Sequence, residues 1–160
     1  MKSIQPNSSQ CFACGMKNIY GLKMRFYNTS PTEVISDYTV AEQFQGYPGV
    51  VHGGVVAAML DEITARAYMD LNNNRFMFTA RLNIRYRKNM PVGKPLHLVG
   101  SVEKYKSRTA TATGKIFSSE GELLAEAEAL LVNVPSELLA STNLNALGWK
   151  VYPENASDPY

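Results

Sequence analysis

Apolar residues recur at helical spacing from about Gly53 to about Leu71, and Asn72, Asn73 and Asn74 follow them. This periodicity predicts one long helix that ends at the asparagines. Bulky side chains share one side of it: Val55, Val56, Met59, Leu60, Ile63 and Ala67. The opposite side surrounds a carboxylate with mostly small residues: Ala57, Ala58, Asp61, Thr64, Ala65 and Tyr68. Such a helix should be buried on both sides, and a second copy of the chain is the simplest second cover.

Alternating or strand-like segments lie on both sides of this helix in the sequence. Two precede it, Gly21 to Tyr27 and Glu33 to Val40, around a turn at Asn28 to Pro31. Four follow it in succession: Phe76 to Lys88, Pro95 to Tyr105, Arg108 to Ser118 and Glu122 to Val134. Short connections between these four favour an antiparallel meander. A short helix is predicted at Ser136 to Ala140.

The first strand after the helix has a regular alternation of side chains. It places Phe78, Ala80, Leu82, Ile84 and Tyr86 on one side, with Thr79, Arg81, Asn83, Arg85 and Arg87 on the other. Together with one central helix, these strands predict an α+β fold. We expect one domain over residues 1–160, with a core at about 11–134 and an irregular tail over 135–160.

Composition narrows the functional classes. The chain has 160 residues, 45% of them hydrophobic, and a net charge of +2. This charge is too small to indicate a nucleic-acid partner. No apolar run approaches the roughly 20 residues that cross a bilayer. The N-terminal residues lack the apolar core of a secretory signal, so we expect a cytoplasmic protein without a membrane partner.

The two cysteines, Cys11 and Cys14, are separated by two residues. The pair supplies half of a four-ligand zinc site that a dimer completes, or it forms a redox couple. The third interpretation is a tight turn with two half-buried thiols, and the sequence favours this one. We therefore predict no metal site.

The carboxylate at Asp61 has two interpretations as well. An unpaired buried charge is costly, so Asp61 needs either a partner or a chemical purpose, and taken alone the pattern favours a structural pair. Glu62 lies between the two helix faces and is predicted to be an edge acid. His52, Gly53 and Gly54 either let the loop turn into the helix, or present backbone N–H groups to a carbonyl or an oxyanion.

These pieces together resemble a known family. The chain is similar to the hotdog-fold acyl-CoA thioesterases, in the phenylacetate-pathway-like branch. The resemblance covers about residues 11–134 and is carried by these segments: Gln45 to Gly54, Leu60 to Glu62, Thr79 to Tyr86, Cys11 to Gly15, and Gly21 with Leu22.

The resemblance implies an antiparallel sheet wrapped around the helix, in dimers or dimers of dimers whose active sites lie at the subunit interface. The Gly53 N–H would then donate to the thioester carbonyl, and Asp61 would act as general base or nucleophile. Thr79 would orient water, from the partner chain in some members. The remaining site candidates are His52 for catalysis and Gln45 and Gly54 for substrate binding. The resemblance and the helix pattern point to the same acid, so together they favour a catalytic Asp61 over a structural one.

The predicted reaction is hydrolysis of an acyl-CoA to a free acid and CoA, which needs no metal or organic cofactor. Cations for the CoA phosphates would come from this pool: Arg81, Arg85, Arg87, Lys88, Lys104, Lys106 and Arg108. Arg108 and the turn holding Lys104 and Lys106 are the preferred candidates, because they lie at a strand junction.

Two other functions remain open from the sequence. One is an acyl-CoA-binding or sensing protein on the same fold, without catalysis. The other is a hydratase or dehydratase that pairs His52 with Asp61. The glycine pair argues against the second, as does the position of the other histidine, His97, in the middle of a strand.

Overall fold

A computed structural model describes residues 2–69 and 75–154 of the chain. Within these ranges the helices are α1 (Gly53–Arg66) and α2 (Ser136–Ser141), with one 3₁₀ turn at Glu42–Phe44. The strands are β1 (Ser3–Ile4), β2 (Tyr27–Ser30), β3 (Glu33–Thr39), β4 (Met77–Tyr86), β5 (Pro95–Tyr105), β6 (Thr109–Ser118) and β7 (Leu123–Asn133). The short helix predicted after the last strand is confirmed as α2.

All described strands form one antiparallel sheet in the order β1-β2-β3-β5-β6-β7-β4, and α1 packs against it. The predicted α+β hotdog architecture is confirmed. The simple meander is wrong, because β4 pairs with β7 at one edge while β5 pairs with β3. The link after β4 contacts the loop that precedes α1, where the Val51 N–H donates to the Met90 carbonyl at 2.8 Å.

The strand predicted at Gly21 to Tyr27 is also wrong, since β2 begins at Tyr27. The chain before it is extended, but its backbone bonds to the N-terminal turn instead of a strand. The Leu22 N–H donates to the Phe12 carbonyl at 2.7 Å, and the Met24 N–H donates to the Ala13 carbonyl at 2.9 Å. Leu22, Met24 and Phe26 are buried there, which accounts for the strand-like alternation.

Helix α1 ends at Arg66, short of the predicted Leu71, and the asparagines at 72–74 lie outside the described residues. Its bulky side is buried in the core, as predicted. The sheet approaches this helix closely at two glycines: a Cβ on Gly100 would lie 2.2 Å from the Ile63 carbonyl oxygen, and one on Gly114 would lie 2.9 Å from Thr64 Cγ2. Only glycine permits this packing distance.

Part of the second helix side is covered by the same chain, contrary to the expectation that another copy covers all of it. Thr64 is buried. Tyr68, just beyond α1, is also buried and donates its hydroxyl to the Lys104 carbonyl at 2.6 Å and to the Thr111 carbonyl at 2.8 Å. Ala57, Ala58, Asp61 and Ala65 stay partly exposed, so the uncovered part of α1 is narrower than the sequence suggested.

A bulge in β4 breaks the predicted alternation. The pairing with β7 shifts between Thr79 and Arg81, so Ala80 is the extra residue. Side chains before the bulge are therefore out of phase with those after it. Thr79 is partly buried together with Leu82 and Ile84, whereas Phe78 is exposed.

Two further features bear on the site. The outer edge of β4 has no strand partner within the described residues, although the strand is ten residues long. The C-terminal segment packs on the N-terminal one, with an Asn7–Lys150 bridge and a 2.8 Å bond from the Ser9 N–H to the Leu147 carbonyl. No helix in residues 2–69 and 75–154 is long and apolar enough to span a membrane.

Candidate active site

His52 caps the N-terminus of α1. Its Nδ1 accepts a hydrogen bond from the Gly54 N–H at 2.9 Å, so this nitrogen carries no proton in the capped state. The proton of a neutral imidazole is then on Nε2, on a side chain that is exposed. The capping bond uses the Gly54 N–H, whereas the Gly53 N–H, as the first of the helix, has no acceptor within the helix. Of the two predicted glycine donors, Gly54 therefore has its N–H occupied by His52, and Gly53 has an N–H that a substrate can use.

The loop before α1 is held by its own polar groups. Gln45 Oε1 accepts a bond from the Gly49 N–H at 2.9 Å, and the His52 N–H donates to the Phe44 carbonyl at 2.9 Å. A Cβ on Gly46 would lie 3.1 Å from the His52 ring, so a small residue is needed beside the imidazole. The structure thus places Gln45 as a support of the loop beside Gly53.

Tyr86 joins the helix N-terminus to the end of β4. Its hydroxyl donates to the Gly53 carbonyl at 2.8 Å while the ring stays exposed. A cavity of about 230 Å³ beside Gly53 is lined by Tyr86, Arg87 and Lys88, among others. Tyr86 is thus a positioning residue that the sequence did not predict. Its only signal was its place at the end of the strand after the helix.

Asp61 lies half-buried near the middle of α1. Burial raises the pKa of its carboxyl above the ordinary value of 3.8; a hydrogen bond from the Thr79 side chain opposes this rise, and the nearby charge of Glu62 adds to it. Among the described residues Asp61 has no ion pair. The structure therefore brings two predicted site residues together, and the bulge at Ala80 is what turns Thr79 towards the helix.

Glu62 differs from its neighbour because it has a full counter-charge. Its Oε1 lies 2.8 Å from Nε of Arg66, which is 2% exposed. Its position at the side of the helix agrees with the edge acid predicted from the sequence.

The predicted components do not all meet within one chain. Gly53 and Asp61 are eight residues apart, which is about 12 Å along a helix axis at 1.5 Å per residue. A carbonyl oxygen held by the Gly53 N–H is therefore out of reach of Asp61 in the same chain. Gly53 lies at the N-terminus of α1, and Asp61 lies near the middle of the same helix.

Arg108 and Lys106 are exposed in the turn between β5 and β6, and Lys104 is exposed near the end of β5. Tyr68 bonds to the Lys104 carbonyl, so this turn lies beyond the C-terminal end of α1, away from Gly53. The cations that line the cavity at Gly53 are instead Arg87 and Lys88, paired with Glu126 and Glu122. The other histidine, His97, lies 2.7 Å from Asp37 across the β3–β5 ladder.

Comparisons with known proteins agree with this fold. Residues 48–125 match the family model described as the thioesterase superfamily. The chain is 28% identical over 110 residues to the acyl-coenzyme A thioesterase THEM4 of Xenopus laevis, covering 68% of this chain and 49% of that one. It is 28% identical over 138 residues to THEM4 of Mus musculus, covering 85% and 59%. The chain thus spans about half to three fifths of the length of these relatives.

The solved structures that resemble this chain are also thioesterase superfamily proteins or hypothetical thioesterases. A thioesterase superfamily protein superposes with a TM-score of 0.68 at 30% identity, covering 76% of this chain and 59% of that one. Zebra fish thioesterase superfamily member 2 superposes with a TM-score of 0.65 at 22% identity, covering 75% and 91%. A hypothetical thioesterase of Streptococcus pneumoniae, solved with coenzyme A, gives 0.64 at 19% identity, covering 69% and 88%. The last two likenesses establish the shared fold.

Proposed function

We propose that the chain belongs to the thioesterase superfamily and hydrolyses acyl-CoA thioesters at a site that two protomers build together. The observation that carries this proposal is the arrangement on α1. A helix N-terminus presents the Gly53 N–H, and a half-buried, unpaired carboxylate lies about 12 Å along the same axis. Each is half of an acyl-transfer site.

The unpaired edge of β4 supports a symmetric dimer. A long exposed edge strand readily pairs with another chain, and a two-fold axis is the commonest way for identical chains to pair. Gly53 contacts Tyr86 near one end of β4, and Asp61 contacts Thr79 near the other. A two-fold axis at the middle of β4, around Leu82 and Asn83, exchanges these two ends. Gly53 of one protomer then comes level with Asp61 and Thr79 of its partner.

The proposed chemistry divides between the two halves. The thioester carbonyl oxygen accepts hydrogen bonds from the Gly53 N–H and from Nε2 of His52, at the positive end of the helix dipole. The partner's half supplies Asp61 and Thr79, which hold a water molecule. Asp61 takes a proton as the water oxygen attacks the carbonyl carbon, or its carboxylate attacks directly to form an anhydride that water then cleaves. The C–S bond breaks and the CoA sulfur leaves as the thiol, with the proton that the water molecule gave to Asp61; in the anhydride route this proton is released when water cleaves the anhydride.

The CoA end would contact cations at the mouth of the cavity beside Gly53. Arg87 and Lys88 line that cavity, so we propose them ahead of Arg108 for the phosphates. Arg108, with Lys104 and Lys106, remains a candidate if the CoA tail crosses to the other end of the helix.

The wider setting is part of the same proposal. We propose a single domain in the cytoplasm that acts as a dimer or a dimer of dimers, with an acyl-CoA as its ligand and no nucleic-acid or membrane partner. Acyl-CoA thioesterase activity is what the names of the relatives state of those proteins.

A panel of short, long and aromatic acyl-CoAs tests the proposal, with free thiol release as the readout. We expect saturable turnover of at least one class. Equilibrium binding of the same compounds is measured in parallel. Tight binding with no thiol release would identify an acyl-CoA-binding protein instead, and neither binding nor turnover would reject both functions.

A further inference from the structure

A second group of reactive side chains lies on the other side of α1 from Asp61. The sulfur atoms of Cys11 and Cys14 and a carboxylate oxygen of Glu62 all lie within 4.8 Å of one another. Cys11 and Cys14 belong to the N-terminal turn, and Glu62 comes from the helix. The proposed hydrolysis uses none of the three.

The turn is shaped to hold two sulfur atoms. The Cys14 N–H donates to Cys11 Sγ at 3.3 Å, and the Gly15 N–H donates to the Cys11 carbonyl at 2.8 Å. A Cβ on Gly15 would lie 2.3 Å from that carbonyl oxygen, so the turn requires glycine. An N–H bond to sulfur stabilises the thiolate form, which is the form that binds metals. Ser8 Oγ lies 3.7 Å from Cys14 Sγ on the far side.

Glu62 presents one oxygen to this pair. Its Oε1 is held by Arg66, while its Oε2 lies 4.0 Å from Cys11 Sγ. In a tetrahedral zinc site with bonds of about 2.3 Å to sulfur and 2.0 Å to oxygen, the sulfur and oxygen are about 3.5 Å apart. A shift of a few tenths of an ångström therefore brings Oε2 to bonding distance from a shared ion.

The charges in this cluster favour a divalent cation. Two thiolates and one carboxylate carry three negative charges, and Arg66 supplies one positive charge from a nearly fully buried position. One divalent ion makes the sum zero. Zinc binding here would displace the thiol protons, because the thiolate is the form that binds the metal.

We propose that Cys11, Cys14 and Glu62 bind Zn²⁺ and thereby clamp the N-terminal turn onto helix α1. Two sulfur ligands with one carboxylate suit zinc better than magnesium or calcium, which prefer oxygen alone. Cys14 is 2% exposed whereas Cys11 is partly exposed, so the fourth position opens towards solvent on the Cys11 side. The sequence alone favours an ordinary turn, and the third ligand that changes this interpretation comes from the helix.

Metal uptake by the full chain tests the proposal. The protein is reduced, stripped with a chelator and titrated with Co²⁺, and absorption from thiolate-to-cobalt charge transfer is followed; Zn²⁺ is then added in competition. We expect one saturable equivalent of Co²⁺ per chain, displaced by Zn²⁺. No saturable uptake, or uptake without the thiolate absorption, would overturn the proposal.

Variants locate the site. Cys11→Ser and Cys14→Ser should each weaken Zn²⁺ binding by about 100-fold or more, and Glu62→Gln should weaken it by at least about 10-fold. Glu126→Gln is the matched control, because it also removes a carboxylate paired with an arginine, here Arg87, and should leave Zn²⁺ affinity unchanged. Unchanged affinity in both cysteine variants would contradict the proposal.

A measurement on the unaltered protein covers the case in which a variant fails to fold. The chain has two cysteines, so thiol alkylation reports on this site alone. Bound Zn²⁺ should slow alkylation of both by at least about 10-fold and raise the Tm, because a ligand that binds only the folded state stabilises it. Equal alkylation rates with and without Zn²⁺ would contradict the proposal.

Discussion

Asp61 and Glu62 are neighbours in the sequence, yet they point in directions about 100° apart on α1 and have different surroundings. Glu62 faces the N-terminal turn and is held by Arg66 at 2.8 Å. Asp61 faces β4, where its contact is the Thr79 hydroxyl, and burial raises its pKa. The carboxylate with a buried counter-charge serves the structure of the protein. The one without a counter-charge is in a state that proton transfer can use.

The two sides of α1 also differ in how completely the same chain covers them. On the Glu62 side the chain covers itself, with Arg66 also bonded to the Pro6 carbonyl at 2.6 Å and placed 4.5 Å from the centre of the Phe26 ring. On the Asp61 side the cover is incomplete, because Ala57, Ala58 and Ala65 are partly exposed and no strand of residues 2–69 and 75–154 pairs with the outer edge of β4. The side proposed to carry the reaction is thus the one that a second protomer is proposed to complete.

Asp61→Asn gives the largest expected effect. It removes the base or nucleophile while keeping the shape of the side chain, so kcat should fall by about 10²–10⁴-fold. Acyl-CoA thiol release measures this effect. The control is Asp37→Asn on the exposed β3–β5 ladder, which should retain wild-type turnover. If Glu62→Gln caused the larger loss of turnover per folded molecule, the roles of the two acids would be reversed.

Gly53→Pro removes the backbone N–H proposed to hold the carbonyl oxygen. Proline is well tolerated at the first position of a helix, and the preceding residue, His52, already has a ψ of 134°, which proline favours. We expect kcat to fall by about 10²–10³-fold with little change in Tm. Gly53→Ala is the matched control: it adds a Cβ at 3.7 Å from the Tyr86 hydroxyl but keeps the N–H, and it should remain active. Equal activity in the two variants would remove Gly53 from the mechanism.

Glu62→Gln should act on stability. It leaves the Arg66 guanidinium buried without its counter-charge, and we expect a loss of about 1–3 kcal/mol in the free energy of unfolding. Chemical denaturation measures this loss. The more exposed pair tested by Glu126→Gln should lose about 1 kcal/mol or less. A change in Glu62→Gln no larger than in this control would show that the Glu62–Arg66 pair is not structural.

The pH dependence gives the smallest expected effect. Because the pKa of Asp61 is raised in the folded protein, the ionised carboxylate disfavours the folded state. The protonated Asp61 carboxyl contributes stability below pH 3.8, and this contribution is lost as the pH rises through the pKa of Asp61 in the folded protein. Asp61→Asn should therefore raise the Tm slightly at neutral pH, and this gain should vanish in acid. Turnover should fall on the acid side at a pH above 3.8. A Tm gain that does not change with pH would contradict the assignment.

The helix and the strands that follow it could be predicted from the sequence, because a single period determines each. The bulky face of α1 and the bounds of β5 at Pro95 and Tyr105 are examples. Two features depend on contacts that no local pattern contains. The place of β4 beside β7 is a pairing of strands far apart in the sequence, and the bulge at Ala80 shows only against the register of β7. The contact between Thr79 and Asp61 depends on that bulge.

The same limit applies to the site. Gly53, Asp61 and Thr79 were identified by residue type and resemblance, but the length of α1 shows that the first two cannot serve one carbonyl within one chain. Tyr86 was missed because its contact is with the carbonyl of Gly53, and a backbone atom has no signature in a sequence.

The central claim is that each site takes Gly53 from one protomer and Asp61 from its partner, and mixing two inactive variants tests it most directly. Gly53→Pro and Asp61→Asn are refolded together in equal amounts, and thiol release from an acyl-CoA substrate is compared with that of each variant alone. Half of the random dimers are hybrids with one intact site of two, so we expect about a quarter of the wild-type rate to return. A mixture no more active than the separate variants would contradict a shared site.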